Sequence, residues 1–165
     1  MVVVLVTGMS GTGKSTALAG LARLGHDTID TDGPHWLALV DGEPLWRADR
    51  IDRALDQPRA GPLFLLGTVA NQGRWAARFD AVVLLTAPAE VLLDRLQGRP
   101  AGEFGATAAD RAKVLQDLEE VEPRLRATAT HVIDTRASAA AVVADLVAIG
   151  ADPGSRRTGR GFRSD

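Results

Sequence analysis

The run Val2-Val3-Val4-Leu5-Val6-Thr7 leads straight into Gly8-Met9-Ser10-Gly11-Thr12-Gly13-Lys14-Ser15. The run is apolar or β-branched throughout, with no polar alternation, so it reads as a strand buried on both faces. Glycines at 8, 11 and 13 then break regular structure and demand a loop. From Ser15 to Leu24, Leu18, Leu21, Ala22 and Leu24 recur at helical spacing, and Gly25 closes the segment. A buried strand, a glycine loop and a helix in succession open a parallel sheet with helical crossovers.

The loop also fits G-x-x-x-x-G-K-[ST] at every fixed position. Its spacing has a chemical reason. A polyphosphate needs several donors in a small volume, and glycines let successive backbone N–H groups turn inward as an anion nest. The helix that follows adds its unpaired N-terminal donors and the positive end of its dipole. Gly8, Ser10, Gly11, Thr12, Gly13, Lys14, Ser15 and Thr16 are the residues predicted to hold the phosphates of ATP. Ser15 is predicted to ligate Mg²⁺, and Lys14 to reach the β- and γ-phosphates. Composition bears on Lys14. Of 19 basic residues only Lys14 and Lys113 are lysine, the rest being arginine. A slender point charge fits beneath phosphates where a planar guanidinium does not.

The alternation continues down the chain. His26–Asp30, Leu63–Leu66, Ala81–Leu85 and Val132-Ile133 read as strands. Leu45–Leu55, Ala89–Leu96, Thr107–Leu118 and Ala137–Ile149 read as helices, the third capped by Thr107 with Asp110 three residues on. The expected class is α/β, a three-layer sandwich with a parallel sheet between helices. Residues 1–150 form one expected domain, and 151–165, with Arg156, Arg157, Arg160 and Arg163, an expected disordered basic tail.

A chain of 165 residues suits one domain. A net charge of -2 draws it toward neither nucleic acid nor an anionic membrane. With no cysteine and three scattered histidines, zinc, haem and thiol chemistry have no support. No apolar run reaches the roughly 20 residues of a membrane span. The opening run is short and lacks the basic flank of a signal peptide. A cytoplasmic protein is therefore expected, as monomer or homodimer, with a small-molecule partner.

The loop Gly8–Thr16, the short strand ending in Asp30-Thr31-Asp32 and the small size resemble the P-loop kinases of small molecules, the adenylate, shikimate and gluconate kinase group. The resemblance covers residues 1–150. It implies five parallel strands in the order 2-3-1-4-5, an acceptor segment after the second strand and a lid near residues 98–107. It implies roles for Asp30 beside Mg²⁺ and Asp32 at the acceptor hydroxyl. Residues i and i+2 at a strand end point the same way, which suits the pairing. Arg95 and Arg99 match arginines that close on the transferring phosphoryl group, and Arg136 lies where such proteins hold adenine.

Two departures stand out. Classical P-loop ATPases end the third strand in an acid, whereas Leu63–Leu66 runs into Gly67-Thr68. Shikimate kinases carry a triple glycine thereafter and an arginine two residues before a late proline. Here Val121 holds the latter place, ahead of Glu122-Pro123. The acceptor is expected among Asp32, His35, Trp46, Arg47, Arg50, Asn71 and Gln72. Arg47 and Arg50 are three apart and suit an anion, Trp46 a base or sugar, and Asn71 with Gln72 a polar ring edge. The expected activity is transfer of the ATP γ-phosphoryl group, with Mg²⁺, to a nucleoside or nucleotide. The alternatives are a hydroxylated metabolite or antibiotic as acceptor, or a nucleotide-binding regulatory module without catalysis.

Overall fold

The computed structural model describes residues 1–155, so most of the expected basic tail lies outside the described residues. Its elements are β1 (Val3–Thr7), α1 (Lys14–Arg23), β2 (Asp27–Asp30), β3 (Leu37–Val40), β4 (Glu43–Trp46), α2 (Ala48–Asp56) and β5 (Leu63–Leu66). A 3₁₀ helix (Gln72–Arg78), β6 (Ala81–Thr86), α3 (Ala89–Gln97), α4 (Ala108–Glu120), α5 (Glu122–Thr128), β7 (His131–Asp134) and α6 (Ala139–Ala151) follow.

Five strands form one parallel sheet in the order β2-β5-β1-β6-β7. Counting sheet strands alone, that is the expected order 2-3-1-4-5. The two extra strands, β3 and β4, pair antiparallel as a separate hairpin. Successive side chains of a strand face opposite sides, and the core divides accordingly. Val4 and Val6 join Leu18, Leu21, Phe64, Val143 and Leu146 beneath α1 and α6. Val3 and Leu5 join Trp46, Ile51, Leu55 and Trp75 beneath the hairpin and α2. A third cluster, with Leu84, Leu92, Leu96, Val114 and Leu125, seats α3, α4 and α5. Each fully buried leucine contributes about 1.5–3 kcal/mol of transfer free energy.

Local signals set the helix starts. Gly13 caps α1 at φ 88°, in the left-handed region where an L side chain is strained. Thr107 and Asp110 form a reciprocal capping box at the start of α4. The expected helix Leu45–Leu55 is corrected. Leu45 and Trp46 belong to β4, and the helix begins at Ala48. Arg47 precedes α2 in extended conformation, so Arg47 and Arg50 do not share a helix face. The final helix runs to Ala151, and the Ser155 carbonyl lies 3.0 Å from His131 Nε2. These residues thus belong to the folded part. Among the described residues no helix is long and apolar enough to cross a membrane.

Candidate functional site

All five parallel strands end at one edge of the sheet, and the loop Gly8–Gly13 rises from its centre. The loop is fixed from within. Thr12 Oγ1 donates to Met9 O at 2.7 Å, and Lys14 Nζ donates to Gly8 O at 2.6 Å and Met9 O at 3.0 Å. Among the described residues, the backbone N–H groups of Ser10, Gly11, Gly13, Lys14, Ser15 and Thr16 have no protein acceptor. Six donors without partners at the head of a helix suit an anion. Ser15 and Thr16 are exposed there.

Thr31 orders the end of β2. Its hydroxyl donates to Leu66 O at 2.6 Å and accepts from Trp46 Nε1 at 2.8 Å, so it faces inward. Asp30 and Asp32, one residue to either side, are exposed. Asp30 Oδ1 accepts from the Asp32 N–H at 3.0 Å, which sets the turn. Although Asp32 reaches solvent, partial enclosure at the loop mouth pushes its carboxyl above the usual range; Lys14 opposes that shift and Asp30 adds to it. Burial lowers Lys14 to about 8, Asp32 opposing, Arg99 reinforcing and Asp30 opposing. Lys14, Asp30, Asp32 and Arg99 therefore share one electrostatic neighbourhood. Arg99 also donates to Phe104 O at 2.8 Å, within the expected lid.

A cleft of about 230 Å³ opens beside the loop, walled by Thr12, Gly13, Thr16 and Ala17, by Arg95, and by Thr135, Ala137, Ala139 and Val142. Arg95 was expected over the phosphoryl group. Instead its guanidinium bonds Gly11 O at 3.1 Å, Thr135 Oγ1 at 3.0 Å and Thr135 O at 2.6 Å, tying the loop to the segment after β7. Arg136 does not wall the cleft. Asp134 holds its exposed guanidinium through contacts of 3.1, 3.0 and 2.6 Å, which lowers the Asp134 carboxyl. Thr135 and the small residues Ala137 and Ala139 carry no motif that marks them in sequence. A run of small residues after the last strand is a weak signal by itself.

Three expected acceptor residues serve the fold instead. Trp46 is buried at 3% exposure and edge-stacks on Trp75 with ring centres 5.7 Å apart. A side chain at Gly67 would collide with Trp46 and Thr31, so that glycine is part of the same packing. Asn71 accepts from Trp46 N and donates to Trp46 O, both at 3.0 Å, strapping the hairpin down. Gln72 is buried, and its side-chain oxygen accepts from Val69 N. His35 is exposed and edge-stacks on Trp36. Arg47 and Arg50 both turn to Asp49, at 3.8 and 3.5 Å, and the Arg50 Nε is buried without a hydrogen bond.

The AAA domain family AAA_18 matches residues 4–116. The chain belongs to that family. A nucleotide-binding protein of Delftia acidovorans (strain DSM 14801 / SPH-1) is 33% identical over 140 residues, covering 81% of this chain and 46% of that protein. The chain thus spans about half the length of that curated relative. Among solved structures, shikimate kinase from Acinetobacter baumannii in complex with shikimate superposes with a TM-score of 0.62 at 20% identity, over 90% of this chain and 92% of the other. Deoxyadenosine kinase from M. mycoides with bound dATP gives 0.59 at 14% identity, over 88% and 97%. The fold of this AAA-family chain is that of the P-loop small-molecule kinases.

Proposed function

We propose that the protein is an ATP- and Mg²⁺-dependent phosphotransferase that moves the γ-phosphoryl group to a hydroxyl of a small molecule. The observation that carries this reading is a loop of six unpartnered amides at a helix head, with the Lys14 ammonium held on that loop and under the electrostatic influence of Asp32, Arg99 and Asp30. One carboxylate suffices to help hold Mg²⁺ on a bound nucleotide, and the second leaves a base for an acceptor hydroxyl.

The loop amides and Lys14 would hold the phosphates, and the adjacent cleft would take the base, with Arg95 along one wall. Among the described residues no three His, Cys, Asp or Glu side chains converge on a metal site. Mg²⁺ keeps several waters and commonly takes phosphate oxygens with one or two protein groups. The exposed Ser15 hydroxyl and the free oxygen of Asp30 fit that demand. When bound, the ion would neutralise charge on the phosphates. Asp32, with its raised carboxyl, would orient the acceptor hydroxyl and take its proton as the phosphoryl group leaves ATP. Arg99 would approach from the lid.

For the acceptor, the burial of Trp46 and the commitment of Asn71 and Gln72 weigh against recognition of a nucleobase. The paired carboxylates favour a hydroxylated metabolite or antibiotic. The test is ATP consumption across a panel of polyols, hydroxy acids, aminoglycosides, nucleosides and nucleotides. A productive acceptor is expected among the first three classes, with turnover abolished in Lys14→Met. Silence across the panel, with ATP still bound, would instead favour a nucleotide-binding module.

A further inference from the structure

Classical P-loop ATPases end this strand in an acid; here β5 ends at Leu66, and the first hydroxyl beyond it is that of Thr68, two residues on. Its hydroxyl donates to Gly8 O at 2.9 Å, accepts from Gly8 N at 3.2 Å and lies 2.9 Å from Thr7 Oγ1. Gly8 O, Gly8 N and Thr7 Oγ1 together match the one donor and two acceptor sites of a hydroxyl, which commits Thr68 to the loop rather than to a metal ion. The Gly8 carbonyl has a second donor in the Lys14 ammonium, 2.6 Å away. The Gly8 peptide has little room to turn, since a Cβ at that residue would collide with the Leu85 carbonyl.

We propose that Thr68 is a positioning residue for nucleotide phosphates, clasping both polar groups of Gly8 and leaving Lys14 free to exchange a loop carbonyl for phosphate oxygen. The assignment rests on the reading of the loop as a nucleotide site. Without the hydroxyl, the Gly8 N–H has no partner and Gly8 O depends on Lys14 alone. The lysine is then held on the loop, and the amide nest loses its anchor to β5. Thr68 thus lies just beyond the strand end where those ATPases carry an acid, and acts on the loop rather than on the metal.

The test is binding of a fluorescent ATP analogue to the full chain, with Mg²⁺ and with EDTA. Thr68→Val should weaken binding roughly 5- to 50-fold in both, the loss expected when one buried hydrogen-bonding partner is removed. Thr68→Ser should restore affinity to within about threefold, because the hydroxyl alone does the work. Thermal melts report whether each variant is folded, and Thr68→Ala replaces the valine variant if that one is not. Equal affinity of the valine variant and the parent overturns the assignment. So does a loss seen only with Mg²⁺, which would mark a metal role, or a serine variant as weak as valine. A parent that binds no ATP overturns the functional reading and the assignment with it.

Discussion

Burial strips the Lys14 ammonium of hydration, and the charges of Asp32 and Asp30 compensate only in part. Its pKa falls to about 8 against 10.5 for the free side chain. The unfolded chain therefore binds this proton more tightly. The burden on stability is complete below about pH 8 and is relieved as pH rises from there toward 10.5. Lys14→Met should raise the thermal midpoint of the nucleotide-free protein at pH 7 while abolishing ATP binding. The released carbonyls keep other donors, since Thr68 serves Gly8 O and Thr12 serves Met9 O. A lower midpoint in a folded variant would contradict this. Phosphates should restore the ammonium, so ATP binding at pH 8 should take up a proton, visible as a calorimetric heat that depends on the buffer. Lys14 was legible because lysine is so scarce here. Trp46 was not, because an indole reads alike on a ligand and in a core. Its inward partners, Thr31 and Gly67, are distant in sequence.

The β3–β4 hairpin shows how an element can be missed while its signal is present. Leu45, Ile51 and Leu55 recur at helical spacing, and that period hid the turn before them. Asp41-Gly42 is a strong two-residue hairpin signal, and both residues have positive φ, 52° and 80°. Val40 pairs with Glu43 directly across it. Pattern alone does not say what holds such a hairpin to the body. Here the Asn71 amide supplies both bonds to the Trp46 backbone. Asn71→Ala should lower stability by about 1–3 kcal/mol, the cost of leaving such groups unpaired. Urea denaturation followed by tryptophan fluorescence measures it, since Trp46 and Trp75 lie in the packing that the strap secures. An unchanged midpoint would mean that core packing alone seats the hairpin. The capping box at Thr107 was legible because both its partners lie within one turn.

For the molecule as a whole, strand–helix alternation was enough to anticipate the parallel sheet, and the resemblance to the small-molecule kinases implied its order. They did not reveal α5, which packs between α4 and the sheet through Leu125, nor the cleft, whose walls come from α1, α3, α6 and the segment after β7. Such surfaces depend on which helices meet, and no local period encodes that. The same convergence bears on motion. Arg99 depresses the Lys14 pKa, so the two cations repel each other. A triphosphate placed between them would replace repulsion with attraction on both sides. Residues 98–107 lack regular structure apart from turns, with Arg99 bonded to Phe104 O within them. A non-hydrolysable ATP analogue with Mg²⁺ should therefore slow amide exchange across 98–107, whereas adenosine should not. Arg99→Ala should abolish that protection and lower turnover by about 10²–10³-fold, the scale of losing one transition-state charge contact. ATP affinity should fall far less, because the loop amides and Lys14 remain. Exchange in 98–107 that ignores the triphosphate would show that this segment is not a lid driven by phosphate charge.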